Sequence, residues 1–237
     1  MHLIESATMN QQILLVVTSH ATLGDTGKPT GIWAEELAAP YNALIDAGHT
    51  VEIASPKGGA VPFDPGSLKP RGENPATVER FLADEEARQK AANTLTVADM
   101  DAADFDAIFF PGGHGTMWDL PFDEGVTQLV ADAYLADRII ASVCHGAAGL
   151  VSAKRPDGQS ILQGKRVNSF TDAEEAAVGL TNVVPFTLES RIRALGGIYE
   201  CAANWQPFAV RDGKLITGQN PQSSELVAQR VIEALAE

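Results

Sequence analysis

The sequence predicts an α/β fold built around a mostly parallel central sheet. Three observations lead there. Continuous apolar, β-branched runs at residues 13–18, 106–110 and 138–143 have the pattern of strands buried on both faces. Helical patterns separate these runs, so strand and helix alternate along the chain. Two of the strands run straight into polar, glycine-rich turns, Gly112-Gly113-His114-Gly115 and Cys144-His145-Gly146. Ligands bind at such places, outside the carboxyl ends of strands in an open sheet.

In chain order, the strand at 13–18 is followed by a loop with Gly24, Gly27 and Pro29, then a helical pattern over 32–47 that stops at Gly48. Residues 51–54 form a second strand and complete a βαβ unit. Residues 56–75 are rich in Gly and Pro and lack periodicity, which predicts a long surface excursion or lid. A charged helix is expected over 75–93, making 56–93 the cap region of the chain. After the strand at 106–110 comes a helix at 124–135, then the strand at 138–143, with a further helix expected over 147–152. Residues 166–169 predict a short strand, 171–178 a short helix, and 187–195 a helix ended by Gly196-Gly197. Asp212-Gly213 between 208–211 and 214–217 is a two-residue hairpin signal. An amphipathic helix over 221–236 closes the chain.

The 237 residues suit a single domain over 1–237, with 1–10 as a tail and Met9 as a second candidate start. A net charge of −14 argues against nucleic acid and anionic membranes as partners. Apolar runs stay well short of the roughly 18 residues of a membrane helix. Residues 1–10 lack the basic and apolar regions of a signal peptide. Cys144 and Cys201 are the only cysteines, too few for a disulfide framework, and a cytoplasmic location is the expectation.

Cys144 carries the chemistry. A thiol at the end of a buried strand, followed by His-Gly and a helix, has the context of a nucleophile elbow, where helix N-terminal N–H groups favour a thiolate. His145 is the base or acid, and Asp172, Glu174 and Glu175 are the acceptors available to orient it. One acceptor is enough, so most of that cluster is expected to be a solvated helix start. Gly112, Gly113 and Gly115 leave backbone N–H groups after a strand, which suits either an oxyanion site or a plain tight turn. His20 ends the first strand and belongs to the same convergence. Periodicity does not choose between Glu35 and Glu36, which cannot share a helix face. Cys201 has no elbow and is expected to pack. No metal-ligand spacing is present, and neither a metal nor a cofactor is expected.

Six motifs stand together in the sequence: Thr30-Gly31-Ile32-Trp33 leading to Glu36 and Pro40, Gly113-His114-Gly115-Thr116, Val143-Cys144-His145-Gly146, Gly164-Lys165, Phe170-Thr171-Asp172 leading to Glu175, and Thr217-Gly218-Gln219-Asn220-Pro221. In combination they resemble the ThiJ/PfpI superfamily, within the class I glutamine amidotransferase-like fold. The branch they resemble contains heat-shock chaperones and glyoxalase III proteins. The resemblance implies a three-layer, flavodoxin-like sandwich with Cys144 as nucleophile, His145 and Glu175 as its triad partners, and Glu36 as the carboxylate against the thiol. It implies Gly112, Gly113 and His114 at the substrate, with Gly113 and His145 supplying oxyanion N–H groups. It implies a homodimer and a cofactor-free conversion of methylglyoxal, or another small 2-oxoaldehyde, to a 2-hydroxy acid. A chaperone, a cysteine redox sensor and a cysteine peptidase or amidase are the competing readings. A true amidotransferase needs a histidine well after the cysteine, and none of His2, His20, His49, His114 and His145 provides one.

Overall fold

The structure, a computed structural model, describes residues 10–237. The tail expected at 1–10 therefore lies, apart from Asn10, outside the described residues. The central sheet has seven strands in the order β3-β2-β1-β4-β5-β9-β8. These are β1 (Gln12–Val16), β2 (Thr50–Ser55), β3 (Leu95–Thr96), β4 (Ala107–Phe110), β5 (Ile139–Val143), β8 (Ala209–Asp212) and β9 (Leu215–Gly218). All neighbours are parallel except β8 and β9, the hairpin expected at Asp212-Gly213. Two short strands, β6 (Arg166–Val167) and β7 (Ile198–Tyr199), pair separately.

Alternation along the strands builds three layers. Ile13, Leu15 and Phe109 face one side, with α1 (Ala34–Asp46), α2 (Ala76–Ala83) and α8 (Ser224–Leu235). Leu14, Val16, Ile108 and Phe110 face the other, with α5 (Glu124–Leu135) and α7 (Leu188–Ala194). Phe109 and Phe110 are fully buried on opposite faces, and each such side chain contributes about 2–3 kcal/mol through its burial. Among the described residues no helix is long and apolar enough to cross a membrane.

Two expected helices differ. The helix expected over 75–93 is two, α2 and α3 (Glu85–Ala92), because Asp84 leaves the helical conformation and caps the second by accepting from Ala87 N–H at 3.0 Å. The helix expected over 147–152 is instead a 3-10 segment, Cys144–Gly149, which begins at the cysteine itself. The excursion at 56–75 has only a 3-10 turn, Pro65–Ser67. It is tied to the start of α1 by Ile32 N–H to Pro62 O at 2.8 Å and Asp64 N–H to Ile32 O at 2.9 Å.

The sheet has its switch point at β1, which pairs with β2 on one side and β4 on the other. The crevice opened there receives the start of α1 and the turn after β4. Cys144 follows β5, the next strand along.

Candidate active site

Val143 ends β5 in extended backbone, and Cys144 turns sharply with a left-handed φ of 57°. That conformation is rare outside glycine and lifts the side chain off the sheet. The turn then packs onto the end of β4. A Cβ on Gly146 would collide with the Phe110 carbonyl oxygen, so only glycine lets the chain pass. Thr116, at the start of α4 (Thr116–Asp119), donates its hydroxyl to His145 O at 2.9 Å and Gly113 O at 2.8 Å, locking the two turns together.

The triad residues meet. Cys144 Sγ lies 3.3 Å from His145 Nδ1, and His145 Nε2 lies 2.7 Å from Glu175 Oε2. Glu175 sits on α6 (Asp172–Ala177), behind a capping box made by Thr171 and Glu174. Its other oxygen, Oε1, is 2.7 Å from His114 Nε2. Burial alone would push Glu175 up, but the two imidazoles, one on each oxygen, outweigh it and hold the carboxyl well below the usual range. Burial, reinforced by His114, keeps His145 below its ordinary value. A neutral His145 that donates Nε2–H to Glu175 presents a bare Nδ1 to the thiol.

Glu36 is fully buried at the start of α1. Its Oε2 accepts from Gly112 N–H at 2.8 Å, while Oε1 has no hydrogen-bond partner. Burial raises its carboxyl to about 8, against the opposing pull of Cys144 and of the Gly112 N–H. Glu36 is thus mostly protonated at neutral pH. Burial and the adjacent Glu36 also push the Cys144 thiol well above its ordinary value, with the His145 backbone N–H pulling the other way. This corrects the expectation of a helix-stabilised thiolate. Two 3-10 turns, Cys144–Gly149, offer little dipole, and the resting sulfur is a thiol facing a base.

The cavity holds about 190 Å³ and is lined by Trp33, Glu36, Gly113, Cys144, His145 and Phe170, among others. His114 and Trp205 also line it. The His114 and His145 rings are 3.9 Å apart, and Phe170 stacks 4.3 Å from His145. Gly113, with φ 130°, passes so close to Gly31 that a Cβ would strike the Gly31 carbonyl oxygen. Gly112 is not free to bind an oxyanion, because its N–H already serves Glu36. Glu35 faces away and accepts from the Thr77 hydroxyl at 2.7 Å. His20 stacks on Trp118, ring centres 5.6 Å apart, and does not join the cavity lining. Cys201 is exposed rather than packed in a core. The acidic cluster is also less solvated than expected: Glu174 and Glu175 are both buried. Thr171-x-x-Glu174 is a capping-box signature that points to Glu174 at the third helical position. Trp205, which completes an aromatic wall with Phe170, carries no comparable sequence signal.

His114, His145 and Glu175 bring potential metal-ligand atoms within 4.8 Å of one another. Each imidazole Nε2 is engaged with a Glu175 oxygen, which makes the group a hydrogen-bonded network.

The model of the DJ-1/PfpI family matches residues 30–234. The chain belongs to the DJ-1/PfpI family. This DJ-1/PfpI protein is 30% identical to Glyoxalase 3 of Candida albicans, over 94% of this chain and 98% of that one. It is 28% identical to the glutathione-independent glyoxalase HSP31 of Saccharomyces cerevisiae, over 95% of this chain and 98% of the relative. Among solved structures it is similar to the Rapid Encystment Protein of 24 kDa from Francisella tularensis, with a TM-score of 0.90, 38% identity and coverage of 95% and 99% of the two chains.

Proposed function

We propose that this protein is a glutathione-independent glyoxalase, converting methylglyoxal or a related small 2-oxoaldehyde and water to a 2-hydroxy acid. The observation that carries the reading is that two proton-moving groups, His145 Nδ1 and the protonated Glu36, face one sulfur in a small aromatic cavity. The names of the Candida and Saccharomyces relatives support the same reaction. No cofactor is part of this reading.

The roles follow from position. Sγ attacks the aldehyde carbon as its proton passes to His145 Nδ1, and Glu175 stabilises the imidazolium that forms. The carbonyl electron pair moves to oxygen, which takes the Glu36 proton to give a hemithioacetal. The Glu36 carboxylate then removes the proton from the former aldehyde carbon while the His145 imidazolium protonates the neighbouring carbonyl oxygen. Glu36 delivers that proton to the neighbouring carbon as it takes the proton of the first hydroxyl, so that His145 is neutral and Glu36 protonated again. That shift leaves a 2-hydroxyacyl thioester on Cys144. Water, activated by His145, hydrolyses it and restores the thiol. The Gly113 and His145 N–H groups are assigned to the developing oxyanion.

The cavity admits a few heavy atoms, which favours a small aldehyde over a peptide. A cytoplasmic setting accords with two free cysteines and no disulfide among the described residues. Homodimerisation rests on the family resemblance alone. The test is lactate formation from methylglyoxal without glutathione. We expect turnover in the native protein and its loss by at least ~10³-fold in Cys144→Ala. Absence of turnover in the native protein would overturn the reading.

A further inference from the structure

The loop between β7 and β8 carries Trp205 into the cavity lining and is fastened mainly by side chains from elsewhere. Ala202 N–H donates to Gln219 Oε1 at 2.8 Å, Asn220 Nδ2 donates to Gln206 O at 2.9 Å, and Phe208 N–H donates to Ser223 Oγ at 3.0 Å. The fastenings converge on one residue outside the triad, Glu174. Its Oε1 accepts from Trp205 N–H at 2.9 Å, Asn220 Nδ2 at 2.9 Å and Gln219 Nε2 at 3.1 Å. Its Oε2 accepts from the Thr171 N–H and hydroxyl, both at 3.1 Å.

Glu174 is fully buried. All five partners are donors, and none is a cation, so the residue is an anion stabilised by neutral dipoles. A carboxylate in that setting tolerates little rearrangement, because each lost donor leaves buried charge uncompensated. Glu175, one residue on, serves the two imidazoles instead.

Backbone strain adds a second, independent observation. Among the described residues only Asp137, Cys144 and Trp205 combine a side chain with positive φ. Aspartate tolerates this region, whereas a bulky residue such as Trp205, at φ 65°, is a true outlier. Cys144 and Trp205 both line the same cavity. Strained backbone persists where its surroundings over-determine it, and such places cluster at functional sites. The Trp205 N–H held by Glu174 is that constraint. It sets the indole 5.7 Å from Phe170, which in turn covers His145.

We propose that Glu174 is a positioning residue that fixes Trp205 as the size-selecting wall of the cavity, restricting the substrate to 2-oxoaldehydes with short side chains. The size selection rests on the glyoxalase reading; the Glu174–Trp205 coupling does not. In Glu174→Gln one oxygen becomes a donor facing donors, and Trp205 is released. The KM for methylglyoxal then rises about tenfold with kcat within about threefold of native. Trp205→Ala gives the same rise and narrows the preference for methylglyoxal over phenylglyoxal about tenfold. The double variant is no worse than the poorer single one, because both remove one device. Multiplying losses, or an unchanged phenylglyoxal ratio in Trp205→Ala, would overturn the proposal. Acrylamide quenching of Trp205 emission, taken as the difference between each protein and its Trp205→Phe counterpart, reads the coupling without turnover. It rises in Glu174→Gln, and an unchanged value sinks the coupling. Should Glu174→Gln not fold, Asn220→Ala removes one donor and shows the same quenching change in smaller size. Altered quenching in a protein without glyoxalase turnover would leave the coupling standing and overturn the size selection.

Discussion

On the side of Trp33 and Gly113, the cavity wall is backbone packed on backbone. Trp33 N–H donates to Gly112 O at 2.9 Å, Gly115 N–H donates to Gly31 O at 3.2 Å, and the close approach at Gly113 leaves no room for a side chain. On the side of Trp205, the wall is a loop fastened by Gln219, Asn220, Ser223 and Glu174. The first wall holds Glu36 directly, through Gly112 N–H to Oε2 at 2.8 Å, and so fixes the carboxyl beside Cys144, as proton transfer requires. The second bounds what lies beside them. Side-chain fastenings can be exchanged one at a time, so this wall can change substrate fit without disturbing the chemistry.

The difference can be broken at its stiff end first. Gly146→Ala drives a methyl into the Phe110 carbonyl. The expected loss is about 3 kcal/mol, a fall in Tm of roughly 6–12 °C for a chain of this size. Differential scanning calorimetry checks it, and a Tm within ~2 °C of native would show that the elbow yields easily. Glu36 gives a second, smaller effect with a defined sign. Its carboxyl rises from an ordinary 4.5 to about 8 on folding, so the folded chain binds the extra proton. Stability from this group is therefore present at low pH and is lost as pH rises toward 8. Below pH 6.5 the depressed His145 works in the opposite direction, so the clean window is pH 6.5 to 8. There the native protein loses roughly 1.4 kcal/mol per pH unit that Glu36→Gln does not lose. Urea unfolding at several pH values measures it, and parallel profiles would mean that Glu36 is ionised throughout. The smallest effect is expected at Cys201. Exposed and absent from the cavity lining, it tolerates alanine with kcat and KM unchanged. A lost rate in Cys201→Ala would place part of the chemistry outside the cavity.

Features set by local pattern were legible in the sequence. The buried strands β1, β4 and β5, the helix at Glu124–Leu135 and the Asp212-Gly213 hairpin all follow from periodicity and turn residues. Cys144 stood out because glycine, histidine and a strand end coincide. Glu36 and Glu175 needed the family resemblance, since one helix turn presents several carboxylates and periodicity does not say which is buried. The capping box marks Glu174 only as part of a helix start, and its hold on the Trp205 loop was hidden because its partners at 205, 219 and 220 are remote in sequence. The break at Asp84 was missed because a single capping side chain overrode a continuous helical pattern. The protonation of Cys144 was misjudged because it depends on burial and on Glu36, which only the folded chain brings together.

The make-up of the cavity lining bears on the end of the reaction as well as its start. Glu36 is there, and among the described residues no lysine or arginine lines it. A neutral aldehyde enters such a space at little electrostatic cost, whereas the 2-hydroxy acid leaves it as an anion from a protein of net charge −14. No cation in the lining pairs with a carboxylate, so on the glyoxalase reading the expected outcome is weak inhibition by the acid product, which turnover in the presence of added lactate checks.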